Sequence, residues 1–279
     1  MKKITAAFDG LKYAESTRDY ALNLAKQTNT HLVGVFLDDP TYTSYKVYDL
    51  ISKEGVSEER LKKKQEKDKL VRSEAAADFE QACKQAGLQF TLHHDRKIAI
   101  HDLVHETIYS DLMVINAKET LTHYPEDLPT RFIRDLLTDA HCPILLVPNK
   151  YKPFQKIILL YDGEPSSVHA IKMFSYLLPV LKGLEIEVIA VNSVNASNHL
   201  PDNKLMKEFM KRHYPKAKYT ILKGWAEDEI LKYLHQMKEN VLVVLGAYRR
   251  STVSRWFRES MADTLMKEVT FPLFIAHNK

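Results

Sequence analysis

The segment from Gly246 to Met261 is the part of this chain best equipped for chemistry. It opens on Gly246-Ala247-Tyr248-Arg249-Arg250, adds Arg255 and Arg258, and closes on Glu259-Ser260-Met261. A glycine leaving a strand, guanidinium groups and a serine hydroxyl at a helix start are the means by which proteins hold anions, phosphate above all. The competing reading is that these arginines are solvated or paired with nearby acids. Two Asp-Gly pairs, Asp9-Gly10 and Asp162-Gly163, each end an apolar run. His101 and His105 stand four apart on an expected helix, the spacing of a two-histidine metal face, with His93, His94 and Asp95 upstream. No glutamate completes an H-E-x-x-H pattern, so surface histidines are the simpler reading. No G-x-S-x-G occurs, which removes support for a serine nucleophile. Ser166-Ser167 reads as a helix cap. Trp256 and Phe257 read as packing anchors.

The elements that must position these residues come in two copies. Lys3-Ile4-Thr5-Ala6-Ala7-Phe8-Asp9-Gly10 recurs as Lys156-Ile157-Ile158-Leu159-Leu160-Tyr161-Asp162-Gly163. The ends recur too: His141 to Val147 resembles Thr270 to Ala276, and Asp111 to Ile115 resembles Asn240 to Leu245. The first copy is longer, and the excess falls within about 52–85, where Ser57 to Gln85 reads as a long solvated helix of interleaved Lys and Glu. The copies meet at a short polar linker between Pro148 and Pro153. In the second copy, apolar runs predict strands near 156–161, 185–191, 217–222, 241–245 and 272–276. Helical periodicity predicts helices near 166–181, 202–212, 226–238 and 254–268. Gly87 and Gly183 are expected to cap helices in the left-handed region. Strands apolar throughout imply burial on both faces of a parallel sheet, so the expected fold is α/β, doubly wound, once per copy.

Composition excludes several classes. Of 279 residues, 40 are Lys or Arg and 36 Asp or Glu, a net +4 too small to argue for nucleic acid. The excess is uneven: residues 151–279 carry 19 basic and 13 acidic side chains, residues 1–150 carry 21 and 23, so an anion site is expected in the second half. Two cysteines, Cys83 and Cys142, without a CxxC pair, leave no disulfide framework or structural zinc site. No apolar stretch is long enough to span a membrane. The expected location is the cytoplasm.

The strand-Asp-Gly openings, the Gly-Ala-Tyr-Arg-Arg loop and the proline before the last strand resemble the universal stress proteins, in particular their tandem two-domain members, over essentially the whole chain. The resemblance implies two five-stranded parallel-sheet domains of the adenine nucleotide alpha hydrolase-like type, at 1–149 and 153–279, forming a pseudo-dimer through their last strands, Ile144–Val147 and Leu273–Ala276. Pairing within one chain and between two chains both remain open. Nucleotide-binding members carry G-x2-G-x9-G-[S/T] after the fourth strand. Carried over, the resemblance implies nucleotide contacts at Asp162, Val191, Gly246, Ala247, Arg249, Ser260 and Met261, with ATP and Mg as the ligand. Asp9 and Asn116 are the first-copy counterparts.

The departures are physical ones. Arg249 and Glu259 stand at motif glycines, where a side chain forbids close backbone approach and Glu259 adds a charge that repels phosphate. Asn116 replaces the first glycine of the first copy, and its loop to Thr130 holds two prolines and three acids, suited to packing or to a partner. The first copy is therefore not expected to bind nucleotide. Two functions follow: a non-enzymatic stress-response protein acting through an unknown protein partner or small ligand, or an ATP-binding switch using the second copy with at most slow hydrolysis. No catalytic residue and no metal site is expected.

Overall fold

A computed structural model describes residues 1–38, 58–95, 98–122, 124–246 and 260–276. The strands are β1 (Lys3–Asp9), β2 (His31–Leu37), β3 (Phe90–Asp95), β4 (Leu112–Asn116), β5 (Ile144–Val147), β6 (Lys156–Leu160), β7 (Glu185–Asn192), β8 (Lys218–Lys223), β9 (Val241–Gly246) and β10 (Leu273–Ala276). The helices are α1 (Glu15–Thr28), α2 (Glu58–Gln85), α3 (Ala99–Ile108), α4 (Arg131–Asp139), α5 (Pro165–Leu177), α6 (Asn203–His213), α7 (Ala226–His235) and α8 (Met261–Glu268). The second-half strands lie where the apolar runs predict them. The helix expected from 254 begins, among the described residues, at Met261.

All ten strands form one sheet, in the order β3-β2-β1-β4-β5-β10-β9-β6-β7-β8. Within each half the pairing is parallel and the order reverses between the first and fourth strands, which opens a crevice at the carboxyl ends of β1 and β4 and of β6 and β9. The halves join by antiparallel pairing of β10 with β5, Leu273 opposite Leu146 and Ile275 opposite Ile144. The last strands of the two copies thus pair within one chain. Each would otherwise be a short apolar edge, and joining them removes both.

Alternation along β5 and β10 sends Leu145, Val147, Phe274 and Ala276 into the core on one face, and Ile144, Leu146, Leu273 and Ile275 into the core on the other. Each core therefore runs through both halves. Tyr20 of α1 adds a tie: its ring packs against Tyr151 of the linker and Phe154 just after it, and its hydroxyl accepts from Lys152 N at 3.3 Å.

Two expectations change in detail. Helix α2 is solvated on all sides only in its first part, and its second part buries one face. Ala75, Ala76, Phe79 and Cys83 are buried, because that stretch of the helix carries apolar residues at helical spacing and lies on β1 to β3. Phe79 fills the space over Gly34, where a Cβ would come within 2.7 Å of its ring. Gly87 is left-handed as expected (φ +68), whereas Gly183 ends a 3-10 turn, Pro179–Gly183, without a positive φ; Asn29 (φ 50) takes the left-handed cap of α1.

Candidate functional site

The two crevices start alike. In each half the aspartate after the first strand turns the chain by accepting from the backbone two residues on: Leu11 N to Asp9 Oδ1 at 2.8 Å, Glu164 N to Asp162 Oδ1 at 2.9 Å. They then diverge with loop length. Helix α5 begins at Pro165, three positions after Asp162, while α1 begins at Glu15, six after Asp9.

In the second half the short loop brings α5 down onto the end of β9. A Cβ built on Gly246 would lie 2.4 Å from the carbonyl carbon and oxygen of Ser166 and 2.8 Å from Ser167 N. Backbone cannot yield as a side-chain tip does, so this glycine is required by helix-on-strand packing. Asp162 is exposed, and its Oδ1 also lies 2.7 Å from Ser167 Oγ. The serines do not cap α5 as the sequence suggests. Glu164 is the cap residue, Pro165 starts the helix, and Ser166 and Ser167 are buried within its first turn. Val191, the penultimate residue of β7, is half-buried beside Leu222. Ser260 caps α8: its Oγ accepts from Asp263 N at 3.2 Å while Asp263 Oδ2 accepts from Ser260 N at 3.3 Å, a reciprocal capping box. Met261 opens that helix. Asp162, Val191, Gly246 and Ser260 thus stand at the carboxyl-end side of the sheet, whereas Ala247 and Arg249, with Arg250, Arg255, Trp256, Phe257, Arg258 and Glu259, lie outside the described residues.

In the first half the longer loop leaves a cavity of about 690 Å³ between the start of α1 and the loop from β4 to α4. Asn116, in the place of the motif's first glycine, is buried, and both polar atoms of its side chain are hydrogen-bonded. Its Oδ1 accepts from Lys118 N at 2.8 Å and its Nδ2 donates to Asn149 Oδ1 at 3.1 Å. Asp9 is 1% exposed; burial raises its pKa, partly offset by the Leu11 N–H and by Lys12 and Arg72. The residue that sequence reasoning missed is Glu119, 6% exposed on the cavity wall. Its Oε1 accepts from Thr120 N at 3.0 Å and Leu121 N at 3.1 Å, and its carbonyl accepts from Thr130 Oγ1, the cap of α4. Burial first, then the charge of Asp9, push Glu119 up to about 7. Nothing in an acid-rich loop signals such burial. The extra loop length after Asp9 was the legible sign of the cavity.

The histidines do not converge. His93 Nδ1 lies 2.7 Å from Glu106 Oε1, while His101 and His105 are exposed, His105 against Tyr109. Among the described residues no three His, Cys, Asp or Glu side chains are grouped to hold a metal ion, and no helix is long and apolar enough to cross a membrane.

No protein-family model and no curated protein matches this sequence. Solved structures do match its shape. A universal stress protein from Archaeoglobus fulgidus superimposes with a TM-score of 0.73 at 12% identity, over 99% of this chain and 98% of that one. A functionally unknown protein from Pseudomonas aeruginosa does so with a TM-score of 0.62 at 13% identity, over 99% of this chain and 92% of that one. The chain has the fold seen in that universal stress protein, along its whole length.

Proposed function

We propose that this chain is a tandem universal stress protein that acts without catalysis, by binding a protein partner or a small ligand, with the nucleotide loops of both halves degenerate. The observation that carries this reading is the use made of the motif positions. Asn116 spends its side chain on its own turn and on Asn149. Gly246 serves the approach of α5. At α8 the capping box engages the N–H groups of Ser260 and Asp263, and the Asp263 carboxylate adds negative charge where a phosphate would sit. Arg249 and Glu259, at the other motif glycines, argue the same way. The full-length likeness to a universal stress protein supports the stress-response part of the proposal.

A second reading is favoured by one arrangement, the gathering of Asp162, Val191, Gly246 and Ser260 at one end of the second-half strands. There the set Asp162, Val191, Gly246, Ala247, Arg249, Ser260 and Met261 would hold ATP with Mg. The Ser260 hydroxyl, though it accepts a bond in its cap, keeps its proton to donate. None of the described residues stands as a base for water, so the reading is one of a switch with at most slow hydrolysis.

Calorimetric titration with ATP and Mg²⁺, on protein checked for carried-through nucleotide, separates the two. The first reading expects no saturable heat up to roughly millimolar ATP. One site per chain, abolished by Asp162→Ala, would establish the switch instead. Replacing both Arg249→Gly and Glu259→Gly should create or sharply tighten ATP binding if the loop is degenerate, and change little if it is already functional.

A further inference from the structure

The first-half cavity has a charge imbalance on its floor. Both hydrogen bonds to the Glu119 carboxylate fall on Oε1, from Thr120 N and Leu121 N, leaving Oε2 without a hydrogen bond among the described residues, and Glu119 lines the cavity. Behind it Asp9 repeats the pattern: Oδ1 is held by Leu11 N, while Oδ2 is buried with no hydrogen bond. A carboxylate removed from water needs a proton or a cation beside it. Lys12 is a cation whose field reaches both groups and partly offsets their burial, and its ammonium also donates to Thr122 O. Arg72 acts on Asp9 from α2 and is itself bound to Asp38 at 2.9 Å and to Leu37 O. Glu15, Glu126 and Lys118, all exposed, also line the cavity.

We infer that this cavity is a site for a small organic ammonium, whose N–H groups donate to Glu119 Oε2 and whose charge compensates Glu119 and Asp9 together. A phosphate or carboxylate ligand would meet the Glu119 carboxylate and be repelled. An ammonium needs directed acceptors and not a closed ligand shell, which suits a wall with one free carboxylate oxygen. The volume of about 690 Å³ is that of a small-molecule site, far larger than a single ion requires. Because Glu119 lies near 7 without a ligand, binding an ammonium displaces a proton. Below its pKa the ligand competes with that proton, so affinity falls as the pH falls. The inference rests on the first half alone and is independent of whether the second half binds ATP.

The probe is 1,4-diaminobutane, titrated calorimetrically into the full chain in two buffers of different ionisation enthalpy. One site per chain is expected, weakening about tenfold from about pH 8 to about pH 6, with close to one proton released per ligand at the acid end. Glu119→Gln keeps an oxygen for the Thr120 and Leu121 N–H groups, and is expected to weaken binding at least about tenfold and flatten the pH profile. Asp162→Ala, in the other half, should leave the diamine affinity unchanged. No heat up to about 10 mM diamine with folded protein at about pH 8 overturns the site. So does equal affinity in Glu119→Gln, or affinity that rises on acidification; the wild-type profile decides the matter even if the variant folds poorly.

Discussion

At the scale of single residues, Gly246 and Asn116 show one motif position put to two uses. Glycine at the end of β9 lets the carbonyl of Ser166 approach to a distance no Cβ tolerates. Asparagine at the end of β4 instead ties its own turn to Asn149. Gly246→Ala should therefore cost at least about 1–3 kcal/mol of stability, read as a lower denaturant midpoint without any nucleotide present. A variant of wild-type stability with impaired ATP heat would mean that the glycine serves a ligand and not the packing of α5. The resemblance singles out Gly246, but its packing role depends on the short loop before α5. Glu119 was illegible for a related reason. Its sequence neighbourhood, Lys118-Glu119-Thr120, reads as solvent-facing, and only the return of the loop over Asp9 buries it.

At the scale of elements, the strands were the most legible feature. The apolar runs of β6, β7, β9 and β10 have no other economical use than strands of the buried sheet, while β8, with Lys218 and Thr220, is its half-exposed edge. Helix α2 was legible as a helix but not as two environments, because its charge-rich first part dominates the composition. Its packing onto the sheet rests on Phe79, which lies over the gap left by Gly34 and meets Phe8 at 5.4 Å and Phe36 at 6.0 Å, ring centre to ring centre. Phe79→Ala should cost about 3–5 kcal/mol in chemical denaturation, whereas Lys63→Ala, on the exposed part, should stay within about 0.5 kcal/mol. Similar small losses at both sites would show that the whole helix is an external appendage, as the sequence suggests. The ends of helices were harder to read. Gly183 does not take the left-handed cap because the chain there closes a 3-10 turn, and Asn29 takes one that no glycine marks.

At the scale of the molecule, the question is what makes two copies one unit. The antiparallel pair of β5 and β10 supplies the sheet and both cores, but a second joint holds the linker itself. Asn240, at the start of β9, donates from Nδ2 to Lys152 O at 2.7 Å and Pro153 O at 3.1 Å, and lies 3.5 Å from the Tyr20 hydroxyl. Tyr20 belongs to the first half and Asn240 to the second, so the linker backbone is clasped from both sides. Sequence periodicity could place each on its own element; that they meet depends on how the halves dock. Tyr20→Phe keeps the rings against Tyr151 and Phe154 and removes the hydroxyl, and should cost about 1–2 kcal/mol by leaving Lys152 N–H without its acceptor. Asn240→Ala should cost about 0.5–1.5 kcal/mol, since the carbonyls of Lys152 and Pro153 lose their donor. If the clasp is one joint, the double variant loses less than the sum, by at least about 0.5 kcal/mol, in denaturation of all four proteins. Strict additivity would mean that each half grips the linker independently, leaving β5 and β10 with the cores as the whole of the coupling.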